Sequence, residues 1–190
     1  YQDEQGLLDL PLPKLPGLHQ VQNAGGAIAT LRMLGFDNAA CEGAVTNAQW
    51  PARMQRLKTG PLVETAGQAE LWLYGGHNPA AGRALAAVLD EMPKVPTYLI
   101  CGMLNTKDIT GYLRPLAPHV AALHAVSIPG EAATLPAETT AQAAQAVEIT
   151  AKVATDVATA VQEIVAQDPH ARVLICGSLY LAGNILRSNG

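Results

Sequence analysis

The segment ELWLYGGHNPAAGRALAAVLDEM, residues 70–92, contains the clearest folding signal of the chain. Its first five residues predict a buried β-strand, and the part that begins at Pro79 predicts an α-helix. Between them Gly75 and Gly76 favour a tight turn, while Asn78 is a favoured N-cap and proline fits the first helical position. A strand that turns directly into a helix is typical of α/β folds.

Strand and helix patterns alternate along the rest of the chain. The predicted strands cover residues 97–103, 120–128 and 171–177 with a short strand at 148–150, and the predicted helices cover 108–119, 137–147, 156–167 and the residues from 179 onward. Residues 53–65 resemble a β-hairpin. This alternation predicts an α/β fold with a doubly wound, mostly parallel Rossmann-like sheet and helices on both faces. In such sheets ligands bind beyond the carboxyl ends of the strands.

The N-terminal part follows a different pattern. The prolines of residues 6–17 exclude a helix, so we expect a strand remnant and a linker there. Helices are predicted over residues 19–34 and 38–48. Pro51 then breaks the pattern, and the sequence is predicted to contain two domains, residues 1–49 and residues 50–190.

The composition excludes several classes of protein. With 12 Lys and Arg against 16 Asp and Glu, and no basic stripe among aromatic residues, nucleic-acid binding is not expected. No apolar run approaches the roughly 20 residues that cross a bilayer and no signal peptide is apparent, so we expect a cytoplasmic protein without membrane contact. The spacing of the cysteines fits neither a metal site nor a disulfide framework, and we expect buried thiols at Cys41, Cys101 and Cys176.

Polar residues follow three of the predicted strands. His77 lies in the turn before the helix of residues 78–92, Ser178 caps the last helix, and Lys107 and Asp108 follow a third strand. Because the carboxyl ends of parallel strands meet at one edge, we expect these residues to converge, and the starts of helices there favour phosphate or carboxylate. Each turn is also explained by ordinary helix capping, and the Lys-Asp pair by a solvated helix start.

Two nucleotide-binding motifs are missing from the sequence. No G-x-G-x-x-G follows a predicted strand, which excludes the dinucleotide fingerprint. The segment GGHNPAAGR resembles a P-loop only superficially, because five residues rather than four separate Gly76 from Gly82 and Arg83 replaces the lysine. The chain therefore has no Walker A motif.

Five segments resemble, in order and spacing, the folylpolyglutamate synthase/dihydrofolate synthase family of Mur-type ligases. They are LPGLHQVQNAGGAIA (15–29), WPARMQ (50–55), GGHNPAAG (75–82), GMLNTKD (102–108) and CGSLYLAGNILR (176–187). The resemblance covers nearly the whole chain but only the C-terminal portion of the family. It implies that residues 1–49 are a remnant of the ATPase domain and that residues 50–190 are the glutamate-ligase domain.

The resemblance implies an ATP-dependent amide ligase. In this family the carboxylate of dihydropteroate, or of the glutamate tail of a folate, is phosphorylated and then attacked by the amino group of L-glutamate. The P-loop, the magnesium ligands and the pteroate pocket lie in the N-terminal ATPase domain, which is expected to act in cis. The present chain alone is therefore expected to be inactive.

Four site residues follow from matching motifs. Asn23 and Arg53 resemble contacts to ATP, the arginine being suited to phosphate charge. His77 and Ser178 resemble the catalytic residues on the glutamate side.

Three further positions are placed with the nucleotide by the same resemblance. Lys107 and Asp108 belong to the GMLNTKD segment. At Tyr74 the family usually has an aspartate, within D-G-[AG]-H-N-P, that contacts the nucleotide. A tyrosine cannot supply that negative charge, which places the nucleotide role of this position in question.

Two other functions remain open at this point. The chain is also compatible with a stand-alone α/β module that binds glutamate or a nucleotide for regulation without catalysis. A purely structural domain, whose turns only cap helices, is the third reading. The proline-rich start favours the ligase, because an independent domain gains little from an isolated strand and linker.

Overall fold

The computed structural model describes residues 1–189 of the chain. These residues form two compact units, Tyr1–Pro51 and a second unit that begins at Ala52.

The first unit consists of a small hairpin and two helices. Strands β1 (Gln2–Asp3) and β2 (Gly6–Leu7) pair antiparallel, and helices α1 (Leu18–Met33) and α2 (Asn38–Thr46) follow. The two predicted helices are thus confirmed. Their small core contains Leu8, Ile28, Cys41 and Val45.

The second unit is built on a six-stranded sheet. Its strands are β3 (Gln55–Leu57), β4 (Glu70–Tyr74), β5 (Thr97–Cys101), β6 (Ala122–Ala125), β7 (Ala151–Val153) and β8 (Arg172–Cys176). Their order is β3-β4-β8-β5-β6-β7, in which β3 is antiparallel to β4 and the other neighbours are parallel. The predicted mostly parallel sheet is confirmed.

Helices cover both faces of this sheet, because successive strand side chains point to opposite faces and both sets are apolar. The helices are α3 (Pro61–Ala66), α4 (Pro79–Glu91), α5 (Ile109–Leu113), α6 (Ala137–Gln145), α7 (Val157–Gln167) and α8 (Leu179–Ser188). On one face Ile100 and Val173 pack with α3, α7 and α8. On the other face Leu99 and Leu174 pack with α4, α5 and α6.

The predicted hairpin at residues 53–65 is wrong. Only β3 is a strand, it pairs with β4, and α3 occupies residues 61–66. Pro61 suits the first helical turn, and the side chain of Asn189 caps the helix by accepting from the Leu62 N–H at 2.9 Å. That cap comes from the far end of the chain, so no local pattern announces it.

Two other boundaries differ from the prediction. The short strand lies at 151–153 rather than 148–150, since Glu148 adopts a left-handed conformation with φ 65° after α6. The helix predicted over 108–119 is α-helical only in α5 and continues as a 3₁₀-helix over Arg114–His119, which contains two prolines.

The cysteines are buried, as predicted, and none of the three forms a disulfide within residues 1–189. In the same range no helix combines the length and apolar character needed to cross a bilayer.

Candidate functional site

The carboxyl ends of β4, β8 and β5 lie side by side. Tyr74 at the end of β4 and Cys101 at the end of β5 are both in register with Cys176 at the end of β8. The next residue, Gly177, has φ 100°, and a Cβ there would lie 2.8 Å from both the Cys101 Sγ and the Gly102 carbonyl oxygen. Glycine is therefore required where the turns after β5 and β8 approach each other.

A cavity of about 210 Å³ opens at this edge. It brings together three of the predicted site residues, His77, Lys107 and Ser178. Its lining is completed by Leu104, Gly177, Leu179 and Tyr180. Within the described residues no Asp or Glu side chain lines it, so the charge of its lining suits an anionic ligand.

His77 is half-buried, and the turn that carries it is held at several points. Its Nδ1 lies 3.1 Å from the Gly75 carbonyl oxygen. Because a carbonyl can only accept, Nδ1 must carry the hydrogen in this contact, and in the neutral ring Nε2 then has the free lone pair. Gly75 N–H donates to the Ala52 carbonyl at 2.8 Å, and Asn78 Oδ1 accepts from the Ala81 N–H at 2.9 Å as the N-cap of α4.

Ser178 is the N-cap of α8 and is buried. Its Oγ accepts a hydrogen bond from the Tyr180 N–H at 3.0 Å. A hydroxyl that accepts in this way keeps its own hydrogen for donation. Ser178 can therefore cap the helix and bind a ligand oxygen at the same time.

Lys107 and Asp108 have different environments. Lys107 lines the cavity and is exposed. Its backbone N–H donates to the Leu104 carbonyl at 3.1 Å, and this bond closes the turn after β5. Asp108 does not line the cavity; its Oδ1 accepts from the Gly111 N–H at 2.8 Å as the N-cap of α5.

Arg53 lies at the same edge of the sheet, because β3 begins at Gln55 opposite Leu73, near the carboxyl end of β4. Its neighbours Ala52 and Met54 both adopt left-handed conformations, with φ 56° and 49°. Such conformations are uncommon for residues other than glycine and often occur at functional sites. Among residues 1–189 no acidic side chain forms an ion pair with the arginine.

Tyr74 is only 4% exposed and packs in the core with α4 rather than lining the cavity. Its hydroxyl donates to the Ala81 carbonyl at 3.3 Å. Burial raises the pKa of this phenol, while the charge of Arg53 acts in the opposite direction. The phenol is therefore a neutral hydrogen-bond donor at physiological pH.

Asn23 belongs to the first unit, on α1. Its side chain is exposed, and its Nδ2 donates to Gln20 Oε1 at 3.0 Å.

Sequence reasoning missed the apolar part of the cavity. In residues 52–189 the exposed large apolar side chains are Val153, Leu179 and Tyr180, and the last two line the cavity. Their position directly after the N-cap Ser178 is a signal that could have identified them. Leu104 lies in an irregular loop and has no such signal.

The opposite edge of the sheet is closed by ion pairs. Arg172 at the start of β8 is 2% exposed, and its Nε lies 3.6 Å from Glu70 Oε2, while Arg56 Nη2 lies 3.2 Å from Glu70 Oε1. Arg53 and Lys107, at the carboxyl edge, have no ion-pair partner within residues 1–189. These two cations thus lie on the side where ligands of parallel sheets bind.

Two other features of the chain bear on ligand chemistry. In the described part of the chain, no three His, Cys, Asp or Glu side chains come together as a metal site. A larger cavity of about 610 Å³ lies among α3, α7 and α8, but its walls are mainly apolar and contain none of the predicted site residues.

The family described as dihydrofolate synthetase, C-terminal domain, matches residues 55–188. A folylpolyglutamate synthase of Lacticaseibacillus casei is 25% identical over 192 residues, which cover 97% of this chain and 42% of the relative.

Solved structures show the same relationship. E. coli FolC in complex with DHPP and ADP matches with a TM-score of 0.79 and 26% identity, over 98% of this chain and 42% of that one. A bifunctional folylpolyglutamate synthase/dihydrofolate synthase with Mn, AMPPNP and L-glutamate bound matches with a TM-score of 0.77 and 26% identity, over 97% and 42%. The chain spans about two fifths of the length of these proteins.

Proposed function

The chain belongs to the family of dihydrofolate synthetase C-terminal domains, and on that premise we propose that it is the glutamate-binding part of an ATP-dependent ligase. The ligase joins L-glutamate to dihydropteroate, to the polyglutamate tail of a folate, or to both. ATP transfers its γ-phosphoryl group to the acceptor carboxylate, which gives an acyl phosphate and ADP, and the amino group of L-glutamate then displaces the phosphate to form an amide.

One observation carries this proposal: His77, Lys107 and Ser178 line one cavity whose lining, within the described residues, contains no carboxylate. L-Glutamate has two carboxylates and one amino group. In our proposal the ammonium of Lys107 and the hydroxyl of Ser178 bind carboxylate oxygens, with support from the N-terminal dipole of α8. Lys107 thereby moves from the nucleotide side, where the sequence resemblance placed it, to the glutamate side.

The role we propose for His77 is to accept a proton from the ammonium group of L-glutamate. An ammonium has no lone pair, so it must lose a proton before it can attack an acyl phosphate. The contact between Nδ1 and the Gly75 carbonyl leaves Nε2 as the acceptor of the neutral ring. The proton then has a base in the same cavity that holds the amino acid.

For the nucleotide we propose Arg53 as the main contact from this chain, since its guanidinium is unpaired among the described residues and matches phosphate geometry. Asn23 is retained as a second proposed contact. Asp108 already serves as the N-cap of α5, and this role explains an aspartate at position 108 without a contact to the nucleotide. Because no three His, Cys, Asp or Glu side chains come together among the described residues, we propose no metal ligand from them.

We also propose that residues 1–49 belong to an ATPase domain and residues 50–190 to the ligase domain. The exposed large apolar side chains support this division, because most of them lie in the first unit. Those within residues 1–49 are Leu7, Leu12, Leu18, Val21, Met33, Leu34 and Phe36. Such a surface is typical of a unit that packs against further protein.

The proposal is tested by titrating the 190-residue chain with L-glutamate and following backbone amide signals by NMR. We expect the signals of residues 75–78, 107 and 177–180 to move, and Lys107→Ala to weaken the binding while the exposed Lys58→Ala does not. L-Glutamine, which lacks one carboxylate, should bind less well. No movement at millimolar L-glutamate would contradict the proposal.

Ligation itself requires a protein that carries these residues together with an ATPase domain of the family. Dihydropteroate and tetrahydrofolate, offered as separate acceptors, then distinguish a bifunctional enzyme from one that only extends polyglutamate. A protein of that kind that binds glutamate but ligates neither acceptor would favour the regulatory module instead.

A further inference from the structure

Tyr74 lies three residues before His77, outside the cavity and inside the core. We propose that Tyr74 is a positioning residue that holds the turn of residues 75–78, and with it the ring of His77. The consequence for glutamate rests on the function proposed above, whereas the effect on the His77 ring does not.

The aromatic ring of Tyr74 covers Gly76. A Cβ placed on Gly76 would overlap the Tyr74 ring, lying 2.8 Å from its Cζ, and would also lie 2.8 Å from the Cβ of Ala81. The backbone at Gly76 is thus confined between the end of β4 and the first turn of α4. Two adjacent glycines would otherwise give this turn more conformational freedom than any other residue pair.

The hydroxyl of Tyr74 adds a second restraint. It donates to the Ala81 carbonyl at 3.3 Å. The backbone N–H of Ala81 in turn donates to Asn78 Oδ1 at 2.9 Å. Ala81 is therefore bound on both backbone groups, by one side chain from the strand and one from the turn. In the sequence, His77 lies between Tyr74 and Asn78, the two residues whose side chains hold Ala81.

The ring of His77 depends directly on this backbone. Its Nδ1 contacts the carbonyl of Gly75, which is the residue next to the one that the Tyr74 ring covers. If the turn loosens, that contact is lost and the preference for hydrogen on Nδ1 disappears with it. A shift of about 1 Å in a group that must meet a substrate is enough to reduce function strongly.

The test compares Tyr74→Leu with Tyr98→Leu in the 190-residue chain. Tyr98 is a matched control, because it is also a buried strand tyrosine, 6% exposed, but packs on the opposite face of the sheet. Long-range proton–nitrogen NMR reports which ring nitrogen of His77 carries the hydrogen. We expect hydrogen on Nδ1 in the wild type, a mixture of both forms in Tyr74→Leu, and the wild-type pattern in Tyr98→Leu.

An unchanged His77 in folded Tyr74→Leu, or an equal change in both variants, would overturn the inference. If Tyr74→Leu does not fold, Tyr74→Phe decides, because it keeps the ring and removes only the bond to Ala81. A shift of the His77 tautomers toward the mixture supports the inference, and an unchanged ratio contradicts the restraint that the hydroxyl is proposed to supply.

Titration with L-glutamate separates this inference from the proposed function. We expect the Kd to rise about ten-fold in Tyr74→Leu and to stay unchanged in Tyr98→Leu. If the wild type binds no glutamate but the His77 tautomers respond to Tyr74 as described, the function proposed above fails and the positioning role stands.

Discussion

His77 and Ser178 line the same cavity although they follow different strands of the sheet. They meet because β4 and β8 are neighbours and Tyr74 is in register with Cys176, so the two turns leave the sheet at the same height. One side chain supplies an imidazole and the other a hydroxyl at the start of a helix. Each contribution can be tested separately.

Replacing His77 with alanine should weaken L-glutamate binding by about ten-fold, because the acceptor for the amino group is removed. Nucleotide binding should not change. Calorimetric titration of the chain with L-glutamate measures the effect, and His170→Ala is the control, since His170 is exposed and outside the cavity. Equal losses in the two variants would show that the effect is not specific to the site.

Ser178 combines a cap with a proposed ligand contact, and two substitutions separate these roles. Ser178→Ala should cost about 1 kcal/mol of stability, whereas Ser178→Gly should cost only a few tenths, while both remove the hydroxyl. We expect weaker glutamate binding in both variants. Asp156→Gly, at the equivalent cap of α7, controls for the loss of a cap alone. If a stable Ser178→Gly variant binds glutamate normally, Ser178 acts only as a helix cap and does not contact the ligand.

Arg53→Ala should raise the KM for ATP about ten-fold or more in a protein that also carries the ATPase domain, because a charge-assisted contact to phosphate is lost. The KM for L-glutamate should stay within two-fold of its normal value, which corresponds to a free-energy change of about 0.4 kcal/mol or less. Arg83→Ala is the matched control, since Arg83 is exposed on α4 and lines none of the cavities described. A glutamate effect as large as the ATP effect would argue against the assignment.

The 190-residue chain alone should neither hydrolyse ATP nor ligate glutamate. Its sequence contains no P-loop, so it lacks the backbone cradle that such enzymes use for the β- and γ-phosphates. Release of ADP, measured with and without L-glutamate and a folate acceptor, checks this. Substrate-dependent ADP release by the purified chain would contradict the prediction.

His124 should make the fold sensitive to mild acid. Its ring is 2% exposed, and burial, together with the nearby charge of Lys152, lowers the pKa of the imidazole, which Glu163 at 3.5 Å only partly opposes. Because the folded pKa lies below the ordinary value of about 6.5, the unfolded chain binds the proton more readily. The contribution of His124 to stability is therefore complete above about pH 6.5 and is lost as the pH falls through the folded pKa.

Denaturant unfolding between about pH 7.5 and 5.5 measures this effect, with a slope of at most about 1.4 kcal/mol per pH unit for one proton. His124→Leu should flatten the slope, and His170→Leu should not. The lowered pKa of Glu163, caused mainly by its hydrogen bond with Lys152, acts below about pH 4.5 and so does not obscure this window. An unchanged slope in His124→Leu would assign the pH dependence to other groups.

Most elements were predictable because their signals are local. Asn78 with Pro79, and Ser178 after Gly177, announce helix starts through capping and backbone preferences that act within four residues. Apolar runs marked the central strands for the same reason. From the parallel arrangement alone it followed that the turns carrying His77, Lys107 and Ser178 would meet at one edge.

What the sequence by itself determined was therefore the set of strands, turns and helix starts, and the kind of chemistry at one edge of the sheet. Only the tertiary structure decided that β8 lies between β4 and β5, that Lys107 lines the cavity while Asp108 caps a helix, and that the Tyr74 ring covers Gly76. The tertiary structure alone also decided that Asn189 caps α3. These features depend on contacts between separate elements, and local backbone preferences carry no information about which distant side chain fills a given space.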